Sequence, residues 1–315
     1  MSRLVVEDLR VEYLTAKGRV RVVDGVSFEV GPGEIFGLAG ESGSGKSTIA
    51  LAVLRLLKQP AAITGGRIVV GGRDVTAMSE DELRRFRWRE VSLVTQSAMS
   101  ALNPVIPIGE QIADAIEAHE SVARKPALAR AAELLSLVGI DPARTKSFAH
   151  ELSGGMRQRV VIAMALALQP PLVIMDEPTT ALDVIVQREI LSQIAKLQAQ
   201  LGFSILFITH DLSLMISLCT HIGVLYAGRL AEVAPAAKLT TPRHPYTQGL
   251  VTCFPALHGP RTELVGIAGA PPDPRYPAPG CAFEPRCTQR LAICGTCAPA
   301  LVRIEKHHEV ACHRC

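Results

Sequence analysis

Aromatic side chains are scarce. Phe, Trp and Tyr make up 4% of a chain that is 48% hydrophobic, so any large core must be aliphatic. Neither charge dominates: 33 basic against 30 acidic residues leave a net charge of +3, near balance, which gives no case for a nucleic-acid surface. Long apolar runs are missing too. The longest, Val160 to Leu168, stops at Gln169-Pro170-Pro171, well short of the roughly 18 residues of a membrane span. The start, Met1-Ser2-Arg3-Leu4-Val5-Val6-Glu7-Asp8, carries acid where a secretory signal would have its apolar core. These absences lead us to expect a soluble, intracellular protein, although one that can sit on a membrane partner. At 315 residues the chain has room for one large domain and a smaller one.

What is present is organised around Gly40-Glu41-Ser42-Gly43-Ser44-Gly45-Lys46-Ser47-Thr48, which fits the phosphate-loop pattern GxxxxGK[ST]. The apolar run Ile35 to Ala39 before it reads as a buried strand, and Ile49 to Leu57 after it is rich in helix formers. Strand, glycine loop and helix start are what an anion site needs. The glycines let backbone N–H groups turn onto phosphate, and the helix N-terminus adds positive partial charge. In that arrangement Lys46 reaches the β- and γ-phosphates and the Ser47 hydroxyl ligates Mg²⁺.

Around the loop the pattern is that of an α/β fold. Residues 3–30 alternate apolar and polar, as a small antiparallel sheet would. Tyr13 lies in it, either stacked on an adenine ring or simply half-buried in a strand. Gly65 to Gly72 reads as a strand between turns, and Glu90 to Gln96 as a strand ending on an amide. Residues 109–138 read as helical, with Ile112, Ile116, Leu128, Ala132, Leu135 and Val138 at helical spacing. Ser153-Gly154-Gly155 opens a helical run from Met156 to Leu168 and makes a second anion site. Leu172 to Met175 is a short buried strand ending in Asp176-Glu177-Pro178. Carboxylates at the C-terminal edge of a parallel strand sit where phosphate-loop enzymes hold Mg²⁺, so Asp176 would bind the metal and Glu177 would polarise the attacking water. The alternative is an exposed acidic turn. Ser204 to Thr209 is the next strand, and His210 at its edge is placed for a γ-phosphate. His119, His150 and His221 have no such context, and Cys219 and Cys253 read as buried thiols.

Together these residues resemble the nucleotide-binding subunit of ATP-binding-cassette (ABC) transporters over roughly residues 3–235. Six motifs stand in the family's order. Gly40 to Thr48 is similar to Walker A, Gln96 to the Q-loop, and Leu152-Ser153-Gly154-Gly155-Met156-Arg157-Gln158 to the ABC signature. Leu172 to Glu177 is similar to Walker B, Ala181-Leu182-Asp183 to the D-loop, and His210 to the switch histidine. The resemblance implies a P-loop ATPase with an antiparallel β subdomain, a helical subdomain at about 97–165, a nucleotide-binding domain over 1–240 and a small Cys-rich extension over 241–315. It implies ATP as substrate, with Ser47, Gln96 and Asp176 around Mg²⁺ and Glu177, His210, Lys46 and Gln96 as the catalytic set. Tyr13 falls at the family's adenine-stacking position. The resemblance also implies a head-to-tail pair of cassettes, in which Ser153, Gly154, Gly155 and Asp183 of one close over ATP on the other. Closure and reopening would drive a permease that docks near Ser97 to Pro107.

The last third narrows the family. His244-Pro245-Tyr246-Thr247, Gly269-Ala270-Pro271-Pro272-Asp273 and Gly280 to Cys287 resemble the extension of dipeptide, oligopeptide and nickel importer ATPases. This stretch is rich in Pro and Gly and poor in periodic pattern, so it needs something other than a large core to fold. Six of the chain's eight cysteines lie in its last 35 residues. In a reducing compartment such clustering favours metal ligation over disulfides. Two ligand sets can be drawn. The family pattern picks Cys281, Cys287, Cys294 and Cys312, which in relatives resemble the ligands of a [4Fe–4S] cluster. Spacing alone draws Cys294-x₂-Cys297 with Cys312-x₂-Cys315, a Zn²⁺ pattern. Metal-free thiols are the third option.

The resulting expectation is the ATP-hydrolysing subunit of a bacterial dipeptide or oligopeptide importer, peripheral on the cytoplasmic face of the inner membrane. Its partners would be a second ATPase subunit (a different one or a copy), two permease subunits and an extracytoplasmic solute-binding protein, with no nucleic acid. Nickel or another small solute is the alternative cargo. A soluble ABC ATPase acting on ribosomes or DNA is disfavoured by the single phosphate loop and the lack of heptads. A metal or redox sensor with a secondary ATPase is a third class.

Overall fold

The computed structural model describes residues 4–16, 18–96, 101–180, 182–253 and 266–315. Two sheets form its frame. The smaller, of four strands, contains β1 (Leu4–Thr15), β2 (Gly18–Val30), β4 (Ala61–Val70) and β5 (Arg73–Asp74) in the order β2-β1-β4-β5. All its pairings are antiparallel. This is the sheet that the alternation over 3–30 led us to expect, extended by the 61–70 strand.

The larger sheet has eight strands. Its parallel half consists of β3 (Ile35–Ala39), β6 (Val91–Val94), β7 (Leu172–Asp176), β8 (Ser204–Ile208) and β9 (His221–Tyr226). An antiparallel flank adds β10 (Arg229–Pro235), β11 (Val302–Glu305) and β12 (His308–Val310), and the order is β11-β12-β10-β9-β3-β8-β7-β6. Every residue of β3, β7 and β8 is buried. Strands covered on both faces carry continuous apolar runs, which is why they were legible.

Alternate residues feed two cores. Leu172, Ile174, Leu206 and Ile208 face the antiparallel sheet and the helix Lys46–Val53. Val173, Met175, Ile205 and Phe207 face the helices on the other side. Those helices include Ile108–Glu117, Arg124–Leu137, Gly154–Ala165 and Val184–Leu201.

Three boundaries differ from expectation. The helical stretch 109–138 is two helices, Ile108–Glu117 and Arg124–Leu137, broken between them. Pro126 marks the reason: proline fits the first turn of a helix, where no N–H partner is required, but not its interior. The helix after the phosphate loop stops at Val53, and Arg55 turns left-handed at φ 51°. The run from Met156 to Leu168 ends at Ala165.

The extension is not a free-standing lobe. β12 pairs with β10, bringing Val310 opposite Glu232. Tyr246, Leu250 and Phe283 are buried in the core shared with the parallel strands. Buried polar bonds complete the join. The Glu232 carboxylate, fully buried, accepts from the backbone N–H of Arg243 at 2.9 Å and of His244 at 3.0 Å, and meets His308 Nε2 at 2.8 Å.

Candidate nucleotide site

The parallel strands deliver the site at their C-terminal ends. β3 runs into the loop Gly40 to Thr48. Gly40 has φ +145°, and a Cβ there would lie 2.2 Å from the Leu225 carbonyl oxygen, so only glycine permits the loop to leave the strand this close to β9. The helix Lys46–Val53 starts at Gly45 with no side-chain cap, leaving its first N–H groups to a ligand. Lys46 is buried, and its Nζ donates to the carbonyl oxygens of Gly40 at 2.7 Å and Glu41 at 2.9 Å. Burial pushes the lysine's pKa down, opposed by Glu177, Asp176 and Glu41. Ser42, Gly43 and Ser47 are exposed on the loop, while Ser44 and Thr48 are buried.

β7 ends at Asp176, which is buried and bonded to the Ser47 hydroxyl. Burial pushes its pKa up, and its Oδ1 has no hydrogen-bond partner. A buried carboxylate oxygen without a hydrogen-bond partner, next to a hydroxyl at a phosphate loop and only partly balanced by Lys46, fits a hard divalent cation. Glu177 follows with a left-handed φ of 47°, its N–H donating to the Ile208 carbonyl at 2.8 Å. Three elements then grip the carboxylate. Gln96 Nε2 from the end of β6 and Thr180 Oγ1 each donate to Oε2 at 2.9 Å, and His210 Nδ1 lies 3.2 Å from Oε1. The structure thus brings Gln96, Glu177 and His210 together. Thr180 was not anticipated; the only signal for it was its place three residues after the acid.

Other expected site residues carry local duties. Ser153 caps the helix Gly154–Ala165 by accepting from the Met156 N–H. Gly155 packs so tightly that a Cβ there would come within 2.7 Å of Val186 Cγ1, a packing reason for that glycine alongside the anion-binding one. Asp183 caps Val184–Leu201, its Oδ1 accepting from Ile185 and Val186. Ala181, expected in the D-loop, and Ser97 to Ser100, expected at the permease contact, lie outside the described residues. Tyr13 sits half-buried near the end of β1, opposite Val20 and Ala61. His221 pairs with Glu34 at 2.6 Å. Cys219 is buried as expected; Cys253 is only partly so.

Around the cysteines the picture is mixed. Cys281, Cys287, Cys294 and Cys312 line one small cavity with Pro245, Phe283 and Pro299. Burial pushes the thiols of Cys281 and Cys287 up in pKa, reinforced by the neighbouring cysteines. Among the described residues, however, no group of three or more His, Cys, Asp or Glu side chains is gathered closely enough to hold a metal ion. The expected [4Fe–4S] ligation is therefore not drawn by the structure. Nor is the zinc set: Cys297 and Cys315 are exposed and absent from the cavity.

A glycine loop at the end of β3, an acid pair at the end of β7 and a glutamine and histidine holding the second acid define a phosphate-loop ATPase of the cassette type. The chain belongs to the ABC transporter family, whose profile matches residues 23–180, and a second profile, the oligopeptide/dipeptide transporter C-terminal region, matches 231–294. It is an ATP-hydrolysing transporter subunit. A probable peptide ABC transporter ATP-binding protein of Sinorhizobium fredii is 43% identical, the match covering 99% of this chain and 94% of the relative. A dipeptide transport ATP-binding protein of Bacillus subtilis is 41% identical over 98% of this chain and 93% of its own length. Among solved structures, the cassette MJ0796 in a dimeric post-hydrolysis state bound to ADP and phosphate superposes with a TM-score of 0.66 at 26% identity, covering 74% of this chain and 98% of that one. Among the described residues no helix is long and apolar enough to cross a membrane.

Proposed function

We propose that this chain energises the import of dipeptides or oligopeptides, peripheral on the cytoplasmic face of a bacterial inner membrane. The observation that carries the reading is the pairing, on one chain, of the cassette match over 23–180 with the peptide-transporter match over 231–294. Relatives named for peptide and dipeptide transport support it.

In this reading Lys46 and the bare helix N-terminus bind the β- and γ-phosphates, with Tyr13 against the adenine. Ser47, Asp176 and Gln96 would hold Mg²⁺, which would supply charge neutralisation. Glu177 orients water and accepts its proton as the oxygen attacks the γ-phosphorus and the bond to the bridging oxygen breaks. Gln96, Thr180 and His210 hold the Glu177 carboxylate for that task. The nucleotide is closed by a second cassette subunit bringing its own Ser153-Gly154-Gly155 or their counterparts. Val184 and Ile185, 58% and 73% exposed beside Asp183, support an interface there. Val105, 77% exposed after the Gln96 strand, supports permease docking on that face. Two permease subunits and an extracytoplasmic binding protein complete the assembly.

For the cysteines, we propose that Cys281, Cys287, Cys294 and Cys312 hold a [4Fe–4S] cluster. The reading rests on the family resemblance and on the cavity that the four thiols share; the side chains would have to draw together on loading, since in this structure they are not gathered at ligating distance. Iron and sulfide analysis of anaerobically purified protein tests this: about four of each per chain supports the cluster, while one zinc without iron moves the site to Cys294, Cys297, Cys312 and Cys315. The transport reading is tested by co-expressing the chain with its permease and binding protein and measuring ATP-dependent uptake of labelled dipeptides and oligopeptides into vesicles. Uptake of nickel without peptide overturns the cargo.

A further inference from the structure

The second residue of the phosphate loop is an acid. A carboxylate in a loop that must receive a polyanion is an electrostatic liability unless something neutralises it. The structure shows what does. Arg286, from the extension, donates through Nη1 to Glu41 Oε2 at 2.8 Å and through Nη2 to Glu41 Oε1 at 3.0 Å. The pair is bidentate across 245 residues of sequence, and the arginine side chain is only 5% exposed. The guanidinium is fixed on its other edges. Nε donates to the Ala268 carbonyl at 2.9 Å, and Nη2 donates to that of Ile267 at 3.2 Å. The group also lies over the rings of Tyr226 and Phe283, near 6 Å from each centroid (5.8 and 5.9 Å). A second contact from the extension reaches the same residue: the Glu41 N–H donates to Tyr246 Oη at 2.9 Å. The Glu41 carbonyl, meanwhile, accepts from Lys46 Nζ.

We propose that Arg286 is a positioning residue for nucleotide binding. It neutralises Glu41 and, with Tyr246, turns that residue away from the phosphates, so that the loop presents Lys46 rather than an opposing charge. The extension thereby takes part in the nucleotide site. Arg286 ends the turn Glu284–Arg286 and is followed directly by Cys287 of the small cavity, so the ordering of the cysteine segment bears on the loop through this side chain.

The test is a charge cycle in the full-length protein, read as the KM for ATP, kcat, and binding of a fluorescent ATP analogue. Arg286→Ala should raise KM and the analogue's Kd about tenfold, the effect of one unpaired charge near the phosphates, with kcat within about twofold. Adding Glu41→Gln to Arg286→Ala should restore KM to near wild type, because it removes the charge that the arginine had masked. A purely structural role for the pair predicts lower stability in urea unfolding with the KM for ATP of the folded protein unchanged. Should Arg286→Ala fail to fold, Arg286→Lys keeps a charge without the fork and should give an intermediate KM. An unchanged KM in the single variant, or a double variant as weak as the single, overturns the proposal. Wild-type protein that bound no ATP would overturn the nucleotide-site reading itself, and this inference with it.

Discussion

The parallel half of the large sheet and its antiparallel flank are held together by different physics. β3, β7 and β8 are buried from end to end, and apart from Asp176 at the end of β7 and Ser204 at the start of β8 their residues are apolar or glycine, so packing on both faces does most of the placing. The flank of β10, β12 and β11, with the extension that joins it, depends on a few buried polar groups. Glu232 gathers two backbone N–H groups and His308, and Arg286 gathers Glu41, Ile267 and Ala268. Area-driven packing tolerates exchange of one apolar residue for another of similar volume. A buried charge with fixed partners does not, because removing one partner strands the rest. The comparison teaches that the catalytic edge rests on a robust platform, whereas the extension that touches the phosphate loop is anchored at a few points.

The contrast can be broken most sharply at Glu177. Its Gln variant keeps the bonds that an amide can make but cannot take a proton, so turnover should fall about 10³-fold while ATP binding stays near wild type. Steady-state hydrolysis beside equilibrium binding checks this, and wild-type turnover in the variant would remove Glu177 as base. On the flank, Glu232→Ala leaves two N–H donors and a buried histidine without an acceptor. It should cost about 3 kcal/mol in urea unfolding, with hydrogen exchange rising first in 241–253 and 302–310. Equal loosening of β7 and β8 would show that the flank and the platform are one cooperative unit.

A third effect, spread gradually over the pH scale, is an acid sensitivity of the flank. Burial holds His244 down to a pKa of about 4 from an ordinary 6.5, partly offset by Glu232. Between these values the unfolded chain carries the extra proton, so stability falls as pH drops from about 6.5 towards 4, by at most about 1.4 kcal/mol per unit. His244→Gln should flatten that part of the stability profile in urea titrations run from pH 7 to 4. An unchanged slope would mean that other groups carry the acid response.

Much of the nucleotide site was legible because its parts are local. The glycine loop, the acid pair ending β7 and the histidine ending β8 are each defined by a few adjacent residues and the strand before them. Their convergence follows from one rule, that parallel strands present their C-terminal ends on the same edge. Thr180 escaped notice because its role is to hold Glu177, which spacing alone does not announce. The split of 109–138 is readable at Pro126, which suits the first turn of a helix and not its interior, although the apolar period runs across it. In the extension His244, Tyr246 and Arg286 are legible as family marks, but not their burial at its junction with the body, which depends on strands far off in sequence.

The sequence by itself determined the alternation and the apolar runs, and with them the two sheets and the chemistry at their edge, since strand period and glycine-loop geometry are properties of neighbouring residues. It also determined that the cysteines crowd into one segment. Only the tertiary structure decided that β12 closes onto β10, that four of those cysteines share a cavity, and that Arg286 meets Glu41. Those contacts join groups tens to hundreds of residues apart, and the energy of a buried ion pair depends on partners and on loss of water, which no local pattern encodes.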